Sequence, residues 1–398
     1  MDISDSINEH AFFTVLSNND LWTELKKHMY PGKITSSFYE YENGDIAAYH
    51  GYLSLMKENP NLNYTQDAID YAAERGDIEM IKWLHENQKQ GCSKNAFHNA
   101  SANGHLNILI WLDENIGLPD SSDSMNLAAM NGHLHVVKWL HENQHKGCTS
   151  DAIDYAAENG HLNIIKWLCR YRRERCSGRA MVYASGNGHL DVVIFLHKYF
   201  NMKCCENCMI MAACNGHLDM VKWIHNNFTI ESNPEIFDCA ASNGHLHVLK
   251  WLHENRTDGY TKDSMDYAAN HGHFDVVLWL HENCPNCCSH EAMDLAAKNG
   301  YLNIVKWLHE NRTEGCSTDA MDCALENGNL DVAIWLYNNR SEGCSDSALE
   351  LVCLYDNLDS LKWLMNTFPG RWSTNDIEVC MQLYYRLEIA EWYNNTFN

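Results

Sequence analysis

The sequence has little of what marks a membrane-spanning or nucleic-acid-binding protein. No run approaches the roughly 18 uninterrupted apolar residues of a membrane helix. Proline, which interrupts helices, is also scarce, with 6 in 398 residues. Basic residues are also few, since 29 Lys and Arg face 53 Asp and Glu, for a net charge of −24. Because binding to phosphates needs the opposite sign, nucleic-acid binding is disfavoured.

The pattern of a secretory signal is also missing. The first five residues, MDISD, are acidic and contain no apolar run. The apolar fraction of 45% and the charged fraction of 21% are those of a folded soluble protein. We therefore expect an intracellular, cytoplasmic protein without membrane association, located in the host-cell cytoplasm if the chain is viral.

What the sequence does have is one tetrad, Asn-Gly-His-Leu or a near variant, that returns every 28 residues. Self-similarity at a fixed period of this size marks an array, in which each unit packs on its neighbours and the chain builds a long surface. Such a surface favours binding over catalysis. The glycines of the tetrads are Gly76, Gly104, Gly132, Gly160, Gly188, Gly216, Gly244, Gly272, Gly300 and Gly328.

The unit from Thr149 to Cys176 predicts two helices joined by a tight turn. Thr149 can cap the first helix, and alanines form its small apolar face. Gly160 ends that helix because glycine accepts the left-handed conformation common at helix C-termini. An aromatic residue seven positions after each glycine predicts a spine between second helices: Trp83, Trp111, Trp139, Trp167, Phe195, Trp223, Trp251, Trp279, Trp307 and Trp335.

The 17 cysteines do not predict disulfides. Several share one repeat position, and equivalent atoms of neighbouring repeats should lie about 8–10 Å apart, whereas a disulfide needs Cα atoms within about 7 Å. We expect small buried side chains in a reducing compartment instead. The cysteines at this position are Cys92, Cys148, Cys176, Cys204, Cys288, Cys316 and Cys344.

The unit resembles an ankyrin repeat. Asp151–Ala157 corresponds to the family's T-P-L-H-x-A-A segment. Gly160–Leu162 corresponds to its G-H-L, and Ile164–Leu168 corresponds to its V-V-K-L-L. The resemblance covers roughly residues 64–372, although the Thr-Pro pair is absent and the period is 28 instead of 33. Short units of this kind look like the arrays of protists, oomycetes and large DNA viruses.

The resemblance implies an all-α, ankyrin-type helical solenoid of about a dozen helix-turn-helix repeats, with β-hairpin fingers reduced or absent. It also implies a protein–protein interaction scaffold or adaptor that binds an unidentified protein, without catalysis and without a cofactor. We favour a monomer. The tetrad histidines would be structural, bonding backbone across the turn: His105, His133, His161, His189, His217, His245 and His273.

Three regions are predicted along the chain. Residues 1–45 do not fit the repeat and are expected to form an N-terminal cap, with a faint likeness to an F-box at Phe13–Trp22 as the alternative. Residues 46–372 form the ankyrin-like array. Residues 373–398 are expected to be a degenerate C-terminal capping repeat, because terminal repeats have one side facing water.

One segment departs most from the repeat. Five arginines cluster in an otherwise acidic chain. In the two units that follow, the position that is acidic in most units is first a valine and then an isoleucine. This predicts an apolar patch rimmed by arginines, and arginine and aromatic side chains are typical anchors of interfaces. The predicted partner-binding residues are Arg170, Arg172, Arg173, Arg175, Arg179, Val182, Tyr183, Ile210 and Met211.

Two motifs leave alternative functions open. His141, Glu142 and His145 match the H-E-x-x-H of zinc proteases, which makes a metal-dependent hydrolase a distant alternative. Cys204–Cys208 and Cys284–Cys288 each contain C-x-x-C and suggest a zinc-linked or nucleic-acid-binding module. Neither motif comes with a complete ligand set, so no metal site is assigned.

Overall fold

A computed structural model describes residues 43–397 except 59–61, 89–90, 118–120, 144–146, 173–174, 258 and 385–386. Within these residues there are 26 α-helices, and the single β-type contact is an isolated bridge between Asn43 and Asn63. This confirms an all-α repeat fold, and the described loops contain no β-hairpin finger. None of the described helices is long and apolar enough to cross a membrane.

The chain divides into two compact units between Ala180 and Met181. Consecutive helices form pairs throughout both units. The first unit contains α1 (Gly44–His50), α2 (Leu53–Glu58), α3 (Asp67–Arg75), α4 (Ile78–Asn87), α5 (Lys94–Ala102), α6 (Leu106–Asn115), α7 (Asp123–Met130), α8 (Leu134–Asn143), α9 (Asp151–Glu158) and α10 (Leu162–Tyr171).

The second unit begins within α11 (Gly178–Gly186). It continues with α12 (Leu190–Phe200), α13 (Glu206–Cys214), α14 (Leu218–Asn227), α15 (Glu235–Ser242), α16 (Leu246–Asn255), α17 (Ser264–Asn270), α18 (Phe274–Asn283), α19 (Glu291–Lys298), α20 (Leu302–Asn311), α21 (Asp319–Glu326), α22 (Leu330–Asn339), α23 (Ala348–Leu354), α24 (Leu358–Thr367), α25 (Thr374–Tyr384) and α26 (Leu387–Phe397).

The pair α9–α10 shows how local sequence builds one repeat. The Thr149 hydroxyl accepts a hydrogen bond from the N–H of Asp151 at 3.2 Å, which helps start the helix. Ala156 and Ala157 are fully buried, and their small size lets the neighbouring first helices approach closely. Gly160 then adopts φ 76°, as the sequence predicted, and the chain turns into α10.

Tetrad histidines connect consecutive repeats. His105 Nε2 donates to the carbonyl oxygen of Glu74, 3.1 Å away and 31 residues earlier, near the C-terminal end of α3. Asn329 takes the same role, because its side-chain amide donates to the carbonyl of Lys298 at 2.8 Å. The hydrogen bond therefore satisfies a helix-end carbonyl of the preceding repeat, and the role is structural.

The aromatic spine also lies between repeats. Trp111 meets the ring of His85 edge to face with centroids 5.1 Å apart, and Trp167 meets His141 in the same way at 5.1 Å. Both geometries are favourable for aromatic pairs. The His of the repeated His-Glu-Asn segment is thus a packing partner for the tryptophan of the next unit.

A buried carboxylate forms a third ladder between repeats. Asp294 accepts hydrogen bonds from the backbone N–H of Ser317 at 2.9 Å and from its hydroxyl at 2.7 Å. The Ser317 hydroxyl in turn accepts from the N–H of Asp319 and caps the next first helix. Aspartates with the same spacing to a Ser or Thr, 23 residues later, are Asp70, Asp154, Asp238, Asp266 and Asp322.

Two tetrad histidines make the stability depend on pH. Burial lowers the pKa of His133 and His245 below their ordinary value. A histidine with a depressed folded-state pKa contributes stability above its unfolded pKa, near 6.5, that is lost as the pH falls towards the folded value. The contribution of these two histidines should therefore weaken on mild acidification.

We expect His133→Asn with His245→Asn to reduce this acid sensitivity, because Asn329 already makes the same contact without titrating. Between about pH 7.5 and 5.5 the melting temperature of the double variant should fall by about 1–3 °C less than that of the native chain. Thermal unfolding followed by circular dichroism measures this. An identical acid shift in both proteins would contradict the assignment.

Candidate protein-binding surface

The residue five positions before each tetrad glycine lies on the outer side of the first helix. In the first unit this residue is Tyr155 of α9, which is exposed while the flanking Asp154 and Ala156 are buried. In the second unit the exposed residues of this register are Tyr183, Met211 and Tyr267, with 37%, 38% and 42% of their surface accessible. We call these three residues of the second unit the exposed column, and they lie on the first helices α11, α13 and α17.

Part of this column was predicted from sequence and part was missed. The sequence predicts Tyr183 and Met211, because they follow the two positions that lose their acidic residue. Tyr155 and Tyr267 follow ordinary aspartates and were not recognised, although they occupy the same register. Counting back five residues from each glycine would have found them.

The structure places Val182 and Tyr183 on α11 and Ile210 and Met211 on α13. Tyr183 and Met211 are exposed, whereas Val182 and Ile210 are half-buried. Met211 packs against Gly186 at the end of α11, where an added Cβ would lie 3.2 Å from Met211 Cβ. The neighbouring first helices thus carry the four predicted apolar residues, and two of these present most of the exposed surface.

Val182 and Ile210 also occupy positions of the carboxylate ladder. In the ladder, a Ser or Thr stands 23 residues after the aspartate. Here Cys205 stands 23 residues after Val182, and Asn233 stands 23 residues after Ile210. Asn233 instead donates to a carboxylate oxygen of Glu206 at 2.5 Å. Both partners of the ladder are therefore replaced together in these two repeats.

The arginines belong to the first unit and differ in their surroundings. Arg170, Arg175 and Arg179 are exposed, and the Arg170 guanidinium lies 5.5 Å from the ring centre of Tyr171. Arg172 is half-buried, and its Nη1 donates to His141 Nδ1 at 3.0 Å. Arg173 lies outside the described residues.

Arg172 therefore has a contact that repeats elsewhere in the chain. Arg340 Nη1 donates to His309 Nδ1 at 3.3 Å, again 31 residues earlier. The guanidinium of Arg172 also lies directly over Gly147. Arg170, Arg175 and Arg179 are exposed, whereas the guanidinium of Arg172 is engaged within the repeats.

A histidine of the zinc-protease motif makes packing contacts between repeats. His141 packs on Trp167 and accepts from Arg172, Glu142 is exposed, and His145 lies outside the described residues. Among the described residues, no group of three His, Cys, Asp or Glu side chains is arranged to hold a metal ion.

The two C-x-x-C segments differ in exposure. Cys205 is exposed and its Sγ lies 3.8 Å from that of Cys208, which is fully buried. Cys284 and Cys287 are both fully buried. All 17 thiols are unbridged.

Comparisons with known proteins identify the repeat. A profile described as "Ankyrin repeats (many copies)" matches residues 69–112. A second profile, "Ankyrin repeats (3 copies)", matches residues 97–178, 125–207, 209–290 and 265–347. No curated protein matches the chain.

One solved structure, "Crystal structure of the pentatricopeptide repeat protein PPR10 from maize", aligns with 88% of this chain and 61% of that chain. The identity is 9% and the TM-score is 0.31, too low to carry a conclusion. The chain spans less than two thirds of that protein's length. The profile matches together cover more than half of the sequence, and the chain therefore belongs to the ankyrin-repeat family.

Proposed function

We propose that this chain is a non-catalytic scaffold or adaptor that binds a protein partner through the first helices of its repeats. The observation that carries the proposal is the exposed column of Tyr183, Met211 and Tyr267 in the second unit. Ankyrin repeats are generally protein-interaction modules, and aromatic residues and methionine are enriched at the centres of interfaces.

The physical setting of these residues supports binding. They are presented by helices whose opposite faces are locked into the core by fully buried residues such as Ala184 and Ala212. Rigid presentation reduces the conformational entropy lost on association. In the first unit, the exposed Arg170, Arg175 and Arg179 can form charge-assisted hydrogen bonds with carboxylates of the partner.

The test begins with affinity capture on the full chain from its native cells, and continues with titration of the purified partner. We expect Tyr183→Glu with Met211→Glu to raise the Kd at least about 30-fold, which corresponds to about 2 kcal/mol at an interface hot spot. Circular dichroism checks that the variant is folded.

A matched control adds two charges elsewhere in the same unit. Leu278→Glu and Ile334→Glu lie on the second helices α18 and α22, where these side chains are 37% and 38% exposed. This double variant should retain its affinity within about threefold, since surface contacts outside the hot spot are near neutral. Equal losses in both double variants, or none in the first, would refute the proposed surface.

The arginines are tested separately. Arg175→Glu with Arg179→Glu leaves the Arg172–His141 contact intact and reverses two exposed charges. If they pair with partner carboxylates, the association rate should fall and its dependence on salt should weaken. An unchanged rate at low salt would remove these arginines from the interface.

A further inference from the structure

The start of α13 brings together two thiols of unequal accessibility. Cys205 is the N-cap residue and is exposed, whereas Cys208, in the first turn, is fully buried. Their Sγ atoms lie 3.8 Å apart, and the N–H of Cys208 donates to the carbonyl of Cys205 at 3.0 Å. Residues three apart at a helix start have neighbouring Cβ atoms, which suits the short span of a disulfide.

The carboxylate ladder explains why the Cys205 thiol is free to approach Cys208. In six other repeats this position is a Ser or Thr, anchored to a buried aspartate as Ser317 is to Asp294. Here the aspartate position is Val182, and the side chain of Cys205 makes no capping hydrogen bond. The paired replacement at 182 and 205 releases the N-cap side chain from the ladder.

We propose that Cys205 and Cys208 form a reversible dithiol–disulfide couple that is oxidised by small disulfides such as oxidised glutathione. The chain would thus carry a thiol modification site on a first helix, one helical turn before Met211. The proposal does not depend on partner binding.

The chemistry proceeds by two exchanges. The sulfur of Cys205 attacks one sulfur of oxidised glutathione, which breaks that disulfide, forms a mixed disulfide and releases one glutathione. The sulfur of Cys208 then attacks Cys205 Sγ, closes the Cys205–Cys208 bond and releases the second glutathione. Two thiols of the protein are oxidised, one disulfide is reduced, and the two thiol protons end on the two glutathiones.

The environment of Cys208 supports its role in the second exchange. A hydrogen bond from the Cys204 thiol lowers the pKa of Cys208, although burial opposes that effect. Burial raises the pKa of Cys205. Cys205 therefore contributes access to the oxidant, and Cys208 contributes the thiolate that resolves the mixed disulfide.

The chain contains its own control. Cys284 and Cys287 have the same spacing, but both are fully buried, so a small disulfide cannot reach either one. Because exchange requires access to the attacking sulfur, the segment at the start of α13 should react, and the buried segment Cys284–Cys287 should not, while the protein is folded.

To test this, the full chain is equilibrated in glutathione buffers of increasing oxidised fraction. Free thiols are blocked with N-ethylmaleimide, and peptides are identified by mass. We expect a Cys205–Cys208 disulfide that forms at least about tenfold faster than any bridge at Cys284–Cys287 and is reversed by dithiothreitol. Accumulation of a stable mixed disulfide at Cys205, or two free thiols in the oxidising buffer, would overturn the proposal.

Three variants keep the test decisive. Cys205→Ser alters an exposed residue and should abolish oxidation, whereas Cys204→Ser should leave the bridge intact. Cys208→Ser should trap the mixed disulfide at Cys205. A bridge that persists in Cys205→Ser, or vanishes in folded Cys204→Ser, would show that Cys204 and not Cys205 is the reacting partner.

Discussion

Gly216→Ala is expected to lower the free energy of unfolding by about 2–5 kcal/mol, because it combines two unfavourable effects. Gly216 has φ 76°, where an L-residue is strained by roughly 1–2 kcal/mol. An added Cβ would also lie 2.6 Å from Nδ1 of His245. That ring is tied to the backbone of Cys214, so it cannot move aside without losing a hydrogen bond between repeats.

Gly343→Ala separates the two effects. Gly343 has φ 69°, but no neighbouring atom lies within 4 Å of an added Cβ. It should show only the backbone strain of about 1–2 kcal/mol. Urea unfolding gives the two losses, and hydrogen exchange shows whether protection is lost around Gly216, since repeat arrays can unfold in parts. Equal losses at the two glycines would contradict the contact with His245.

Asp294→Ala is expected to lower the free energy of unfolding by about 2–4 kcal/mol, because it leaves the N–H and hydroxyl of Ser317 without their buried acceptor. Those bonds hold Ser317, whose hydroxyl accepts from the N–H of Asp319 at the start of the next first helix, so the damage extends across one repeat boundary. Urea unfolding monitored by tryptophan fluorescence measures the loss.

Asp294→Asn is the matched control, because an asparagine already makes the equivalent hydrogen bonds elsewhere in the chain. Asn126 occupies the same repeat position and accepts from the N–H of Thr149 at 3.1 Å, while its amide donates to the Thr149 hydroxyl at 3.0 Å. The Asn variant should therefore lose less than about 1 kcal/mol. A loss as large as that of the Ala variant would show that the charge, and not the hydrogen bonding, holds the boundary.

The two Asp294 variants also differ from the native chain in pH dependence. Burial raises the pKa of Asp294 above its ordinary value, although hydrogen bonds from Ser317 oppose the shift. A raised folded-state pKa contributes stability that is fully present below the unfolded pKa and is lost as the pH rises through the folded value. Asp294→Asn should remove this part of the pH dependence, which urea midpoints across the acidic range would reveal.

Much of the fold could be predicted because it depends on local chemistry. A helix that ends at Gly160 and a turn that leads into a second apolar stripe follow from backbone sterics and from the spacing of alanine, leucine and tryptophan. The unbroken 28-residue register then predicts that every unit adopts the same structure. Even Asp356, at a glycine position, adopts φ 58°, as its residue type allows.

The candidate surface could be predicted only in part. Exposed Tyr183 and Met211 were recognised as departures from the repeat, whereas Tyr155 and Tyr267 share their register and were missed. Arg172 was grouped with its neighbours in sequence, but its contact with His141, 31 residues away, sets it apart. Proximity in sequence could not show which arginine faces solvent.

The periodicity predicted the helical repeat and its length, and the motif residues carried the family resemblance, because helix starts, turns and apolar faces depend on residues within one unit. Tertiary structure decided what joins the units: the tetrad histidine bonds a carbonyl 31 residues earlier, and the buried aspartate bonds a Ser or Thr 23 residues later. It also decided that Cys205 is exposed and lies beside buried Cys208. Such contacts depend on how neighbouring helices stack, which the residues of a single unit do not specify.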